Sequence, residues 1–218
     1  MASKRNYSRE LEKLIEGLGG RVPTLLLHAC CAPCSSASLE YLGRYFSISL
    51  LYYNPNISPV EEYEKRLYEL RRLVRELPLE HPVSIIPCGY RGEDFQRMAR
   101  GLEGEPEGGA RCMECYRLRL EEAAKAAKEY GLEYFTTTLT ISPLKNAAAI
   151  NRIGEELAEK YGVKHLPSDL KKKDGYKRSI ELSREYGLYR QDYCGCVYSK
   201  MERDRIKEER DDRLADDP

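Results

Sequence analysis

Apolar positions along the chain alternate between two periods. Leu11, Leu14, Ile15 and Leu18 fall on one face of a helix over Ser8 to Leu18, which Gly19-Gly20 ends. The run Val22 to His28 follows as a strand. Phe46 to Tyr53 is a nearly unbroken apolar stretch, the pattern of a strand buried on both faces. Glu61 to Leu77 then carries Tyr63, Leu67, Leu70, Leu73, Val74 and Leu77 at helical spacing, and Pro78 stops it.

The same alternation continues downstream. Strands are expected at Val83 to Cys88, Tyr134 to Thr140 and Val163 to Leu166, and helices at Ser35 to Leu42, Glu93 to Leu102, Cys112 to Tyr130 and Ala147 to Tyr161. Pro33 suits the first turn of its helix, where its missing N–H is not needed. The economical fold is α/β, a parallel sheet with helices on both faces, and ligands in such sheets bind beyond the carboxyl ends of the strands. After Leu166 the texture changes to a helical part, 167–210, with helices at Tyr176 to Tyr186 and Val197 to Glu209. One domain over 1–210 and a disordered tail over 211–218 are expected.

Composition narrows the setting. Hydrophobic content of 41% with 33% charged residues fits a globular chain, and no apolar run approaches the roughly 20 residues of a membrane helix. The polar start Met1 to Glu10 lacks the apolar core of a signal peptide, so a cytoplasmic protein with its eight cysteines largely as thiols is expected. The formal net charge is zero, so any nucleic-acid site must be a local basic patch.

The chemistry lies in the cysteines. Seven of them fall in three groups: Cys30, Cys31 and Cys34 at a strand-to-helix junction, Cys112-x-x-Cys115 at a helix start, and Cys194-x-Cys196. Thiolates bind zinc and the iron of iron-sulfur clusters. Seven exceed the four a structural zinc takes, so either a four-cysteine cluster beside a second metal or a cluster beside a redox pair would use the surplus. A disulfide relay and simple burial are the competing readings. Cys88, alone at a strand end, reads as a buried structural thiol.

Other rim residues carry two readings each. His28 is either a participant in the site or a strand-end histidine bonded to backbone. Tyr53, Asn54 and Asn56 either meet a substrate or build an Asx turn, and Lys145 and Asn146 either contact substrate or start an exposed helix. Lys171, Lys172 and Lys173, with Lys164, Lys177 and Arg178 and the tyrosines at 176 and 189, suit phosphate binding with base stacking, or form a solvated face.

Five segments, in order, resemble one family. They are His28-Ala-Cys-Cys-Ala-Pro-Cys34; Tyr53-Asn-Pro-Asn-Ile57 with Glu62-Tyr63 and Arg66; Arg111-Cys-Met-Glu-Cys-Tyr116; Thr138-Leu-Thr-Ile-Ser-Pro-Leu-Lys-Asn146; and Tyr189-Arg-Gln-Asp-Tyr-Cys-Gly-Cys196. Together they resemble the QueH-type epoxyqueuosine reductases, from Leu26 to about Ser199. The resemblance implies an oxidoreductase that removes the epoxide oxygen of epoxyqueuosine in tRNA. It further implies a 4Fe-4S cluster, an adjacent second metal ion such as iron, an external electron donor, no cobalamin, and a fold similar to PP-loop proteins. The PP-loop signature Ser-Gly-Gly-x-Asp-Ser is absent, so ATP is not expected. Family members vary at the position of Cys34.

On this reading Cys30, Cys31, Cys34, Cys112, Cys115, Cys194 and Cys196 are the metal ligands. His28, Tyr53, Asp192 and Tyr193 are the candidate proton donors. Asn54, Asn56, Arg66, Lys145, Asn146, Arg190 and Lys171 to Lys173 are the candidate substrate contacts. The competing functions are tRNA thiolation by a cluster-containing PP-loop enzyme and a non-catalytic zinc protein that binds RNA.

Overall fold

The computed structural model describes residues 5–215. Five strands, β1 (Thr24–His28), β2 (Ser47–Leu51), β3 (Ser84–Ile86), β4 (Tyr134–Thr137) and β5 (Lys164–His165), form one sheet in the order β3-β2-β1-β4-β5. Every pairing is parallel, with His28 level with Leu51 on one side and Thr137 on the other. The central β1 is buried on both faces, which its apolar run requires, while the edges β3 and β5 are kept short. The sheet is α/β and all parallel, as expected, and compatible with the PP-loop likeness.

Successive strand residues face opposite layers. Leu25 and Leu27 of β1 join Ile48 and Leu50 of β2 beneath α1 (Tyr7–Glu16), α2 (Ala32–Leu42), α3 (Val60–Glu76) and α7 (Gly175–Glu185), which contribute Leu11, Leu39, Leu42, Leu70, Leu73 and Leu182. Leu26, Leu51 and Phe135 face the other way. They pack on Leu120, Ala123, Ala124 and Ala127 of α5 (Ala110–Glu129) and on Ile150, Ile153 and Leu157 of α6 (Ala147–Tyr161). Two further helices, α4 (Gly92–Ala99) and α8 (Val197–Ala215), meet at the sheet rim through Phe95 and Tyr198.

Strand order reverses between β1 and β4, the position where open parallel sheets bind ligands. The two segments that leave this point are Ala29 to Cys34 and Thr138 to Asn146. Both depart from the expected boundaries. The helix after β1 begins at Ala32, three residues early, because the Cys31 thiol accepts the N–H of Cys34 at 3.4 Å and so caps it. The strand expected to reach Thr140 ends at Thr137, whose hydroxyl accepts the N–H of Leu139 at 3.1 Å and turns the chain into a 3-10 turn, Thr138–Ile141. At the other end, α8 runs on to Ala215, into the segment expected to be disordered; residues 216–218 lie outside those described. No described helix is long and apolar enough to cross a membrane.

His165 on β5 gives the fold a pH dependence. Its ring lies edge-on to Phe135 at 5.3 Å and against Gly154, where a Cβ would stand 2.3 Å from the ring. Both ring nitrogens are out of solvent without a partner, and burial pushes its pKa down to about 4, with Arg5 adding to the effect. Between its ordinary value near 6.5 and about 4 the unfolded chain takes up a proton that the native chain refuses, so stability falls as pH falls across that window. The loss is at most about 1.4 kcal/mol per pH unit. Urea midpoints measured from pH 7 to 4.5 should fall less steeply for His165→Leu than for the unaltered chain; equal slopes would remove His165 from this account.

Candidate metal centre and substrate cavity

Three helices begin at cysteines. Cys31 caps α2, with Cys34 in its first turn; Cys112 and Cys115 occupy the start of α5 on one face; the Cys196 thiol accepts the N–H of Ser199 at 3.4 Å and caps α8. Helix N-termini favour anionic sulfur through exposed N–H groups and the helix dipole. Cys31, Cys34, Cys112 and Cys196 thus lie at or in the first turn of a helix before tertiary contacts bring the thiols together.

The sulfurs of Cys30, Cys31 and Cys34 all lie within 4.8 Å of one another, with Cys30 and Cys31 at 3.8 Å. Two sulfurs of a tetrahedral site with bonds of about 2.3 Å stand about 3.8 Å apart, so this trio has the spacing of a single ion. Cys30 is the most acidic of the three. Cys31 and Cys34 donate to its sulfur, Arg119 lends positive charge, and the Thr138 hydroxyl donates at 3.3 Å, all of which outweigh burial. Donating to the Cys30 sulfur pushes Cys31 up to about 12, and Cys34 is raised likewise.

Cys112, Cys115, Cys194 and Cys196 line a second, smaller cavity together. No three of these four sulfurs lie within 4.8 Å of one another, so they are spread more widely than the trio. Four thiols in a wider arrangement suit a 4Fe-4S cluster. Burial raises the Cys112 thiol and pushes Cys115 up to about 12, so binding here displaces protons.

Buried cations separate the two sets. Arg119, 2% exposed, bonds Asn54 Oδ1, leaves Nε unpartnered, and has no carboxylate partner among the described residues. Burial opposes its charge and the sulfurs of Cys115, Cys30 and Cys194 restore it. A buried guanidinium without a carboxylate demands another anion, and the Cys30 thiol, whose pKa is held low, supplies it, with the Cys115 and Cys194 sulfurs close by. Lys145, 9% exposed, places Nζ 3.1 Å from the Cys194 sulfur and 3.4 Å from a Glu107 oxygen.

Arg66 sets the turn between the last two cysteines. Its Nε pairs with Glu62 at 2.7 Å and its Nη1 donates to the Cys194 carbonyl at 3.2 Å. The turn needs Gly195, at φ 121°, because a Cβ there would stand 3.0 Å from both Arg66 Nη1 and Ile57 Cγ1.

A cavity of about 230 Å³ opens on the trio. Cys30, Cys31, Cys34, Cys194, Lys145, Arg190, Asp192 and Tyr193 line it, so it joins the two thiol sets. Several expected residues are placed elsewhere. His28 is fully buried, with one ring nitrogen on the Thr137 hydroxyl at 2.8 Å and the other on the Tyr53 carbonyl at 3.0 Å. Its pKa is pushed to about 3 by burial and the Arg119 charge, so it stays neutral; it clamps β1 to its neighbours and does not line the cavity.

Tyr53 turns its hydroxyl to Asp94 at 2.7 Å and lies outside the cavity. Asn54 bonds the Ala29 carbonyl at 2.9 Å, a scaffold position, and buried Asn56 faces the four-thiol cavity. Asp192 is held by Lys207 and Arg203, which lower its pKa to about 2, so it stays ionised. Asn146 caps α6 through Ala149 at 3.1 Å. Lys171 to Lys173 border a neighbouring groove that shares Lys145 with the cavity, and from which Lys164, paired with Glu133 at the opposite end of the strands, is absent. Cys88, expected to be buried, is only half-buried, and its thiol donates to the Gly89 carbonyl.

Arg119, Thr138 and Glu107 escaped the sequence reading. Arg119 lies seven residues after Cys112, two helical turns on, a spacing that places it beneath the α5 cysteines. Thr138 stands inside a recognised segment without a distinguishing pattern, and Glu107 in a loop rich in Gly and Glu gave no signal.

A parallel α/β sheet whose switch point gathers a cysteine trio able to hold a metal ion defines an α/β protein with a candidate metal centre at the sheet rim. Comparison with known sequences makes this specific. The QueH family profile, described as epoxyqueuosine reductase QueH, matches residues 25–202. The epoxyqueuosine reductase QueH of Staphylococcus epidermidis is 45% identical over 204 residues, covering 91% of this chain and 86% of that protein. Its counterpart in Streptococcus pyogenes is 44% identical over 201 residues, covering 90% and 78%, and that of Thermotoga maritima 37% over 186 residues, covering 83% and 92%. The chain belongs to the QueH family of epoxyqueuosine reductases, and is an oxidoreductase.

Substituting Gly195→Ala should cost about 1–3 kcal/mol through backbone strain, read by urea unfolding, and should lower iron loading after anaerobic reconstitution. Loading equal to that of the unaltered chain would show that the turn does not hold the four-thiol set.

Proposed function

We propose that this chain carries out its family's reaction, the reduction of epoxyqueuosine in tRNA, at the cavity where the two thiol sets meet. Loss of the epoxide oxygen as water takes two electrons and two protons; on this rim only paired thiols could release two electrons, by closing a disulfide, and an external donor must then restore them. The observation that carries the reading is the division of seven thiols into a closely spaced trio and a wider set of four around Arg119, with Cys194 and Lys145 shared between the two cavities. The thiolation and zinc-protein readings are not favoured by the family relationship.

Cys112, Cys115, Cys194 and Cys196 would hold the 4Fe-4S cluster, and Cys30, Cys31 and Cys34 the second ion. When bound, these groups supply one-electron relay from an external donor and Lewis acidity toward the epoxide oxygen. The remaining work falls to the chain's own residues. Lys145 keeps its charge despite burial, because Cys194 and Tyr116 favour it, and offsets anionic sulfur at the junction. Of the four candidate proton donors only Asp192 and Tyr193 line the cavity, and Asp192 is ionised. Tyr193 remains protonated, its pKa raised by burial, with Arg66 5.2 Å and Arg203 4.9 Å from its ring. Tyr193 is therefore the donor, and Arg190 a contact for the substrate on the same wall.

Two measurements test this. Tyr193→Phe should slow single turnover on epoxyqueuosine tRNA about 10²- to 10⁴-fold with unchanged iron content; an unaltered rate assigns the proton elsewhere. Cys30→Ser should lose about one iron while keeping the brown cluster spectrum, and Cys115→Ser should lose that spectrum. A common loss from either variant would contradict two separate centres.

A further inference from the structure

Beside the cavity runs a groove of about 1020 Å³ bordered by α1, the start of α6 and the loop 169–173. Its cationic residues are Arg5, Arg9, Lys145, Lys171, Lys172 and Lys173, against the carboxylates Glu12 and Asp169. We propose that this groove seats the phosphodiester backbone of the substrate RNA next to the nucleotide that enters the cavity. The proposal rests on the tRNA reading above and adds where the strand lies and which cations meet it.

Three observations carry it. First, Lys145 lines both the groove and the cavity, so the two form one path: a base at the thiols leaves its own backbone at the groove mouth. Second, the cations are unequal. Lys171 is paired with Asp169 at 2.5 Å, Lys173 with Glu12, and Arg5 with Glu10 at 2.7 Å and Glu155 at 2.8 Å. Arg9 and Lys172 are exposed and make no ion pair among the described residues, one on α1 and one on the loop 169–173. These two keep their full attraction for phosphate, whereas their neighbours shape the walls.

Third, the lysine loop is built, not loose. Leu170 and Lys171 donate their N–H groups to the hydroxyl and carbonyl of Thr140 at 3.3 and 3.2 Å, which ties the loop to the turn that bears Thr138. Lys173 and Asp174 adopt left-handed backbone at φ 50° and 63°, and Gly175 is required because a Cβ would meet the Leu170 carbonyl at 1.9 Å. The cations are thereby held at a set position relative to the metal trio. A concave, strand-sized groove continuous with the base site favours RNA over an acidic electron-carrier protein as its occupant.

Fluorescence anisotropy with an unmodified anticodon stem-loop, over a series of salt concentrations, tests the proposal without requiring turnover. Arg9→Glu and Lys172→Glu should each weaken binding about tenfold near 0.1 M salt, and the double variant should reduce the slope of log K against log salt by about 1.4–1.8. The neutral variants Arg9→Gln and Lys172→Gln should lose less. Lys128→Glu, on exposed α5 surface, should bind like the unaltered chain, and thermal melting verifies that each variant is folded. Reversal variants that retain both affinity and salt slope overturn the groove. Variants that bind RNA normally but accept electrons more slowly from an acidic one-electron flavoprotein also overturn it, and assign the groove to the donor. Failure of the unaltered, iron-loaded chain to convert epoxyqueuosine tRNA would instead sink the function beneath it.

Discussion

Gathering seven sulfurs, each of which becomes anionic as it gives up its proton, in a largely buried space is the constraint on which the rest depends. Charge of one sign cannot be desolvated without compensation. The chain answers with helix N-termini at α2, α5 and α8 and with the buried cations Arg119 and Lys145. The requirement explains features that look unrelated in isolation: a cysteine as helix cap, a guanidinium without a carboxylate, and a lysine against a thiol.

Topology makes this arrangement reachable. The reversal of strand order at β1 and β4 leaves a crevice between two departing loops, one carrying Cys30 to Cys34 and the other Thr138 and Lys145. α5 lies against the opposite layer from α2 and starts at the same rim, so its cysteines and Arg119 approach from the other side. Arg66, anchored on α3 by Glu62, holds the last cysteine turn through the Cys194 carbonyl. His28 belongs to this framework, since it joins β1 to Thr137 and to the Tyr53 carbonyl.

Much of the fold was legible because parallel strands buried on both faces and amphipathic helices leave different periods in the chain. Boundaries were less legible where a side chain ends an element by a local hydrogen bond, as Thr137 ends β4 and Cys31 starts α2. The seven thiols were visible from spacing and type. Their division was not, because one-dimensional spacing separates Cys34 from Cys112 but says nothing of which sulfurs share a space.

Polar residues show the boundary between the two kinds of information. His28, Tyr53 and Asp192 are all chemically capable donors, and their places at strand ends and beside the last cysteine pair are legible in the chain. Packing alone spends His28 on strand contacts, turns Tyr53 to Asp94 and keeps Asp192 ionised through Arg203 and Lys207, while Tyr193 lines the cavity. Arg119 is the converse case, an arginine unremarkable in a helix until packing removes its solvent and leaves sulfur as its counter-charge. Residue type sets what a side chain can do; burial and the partners brought from distant segments set which of those things it does.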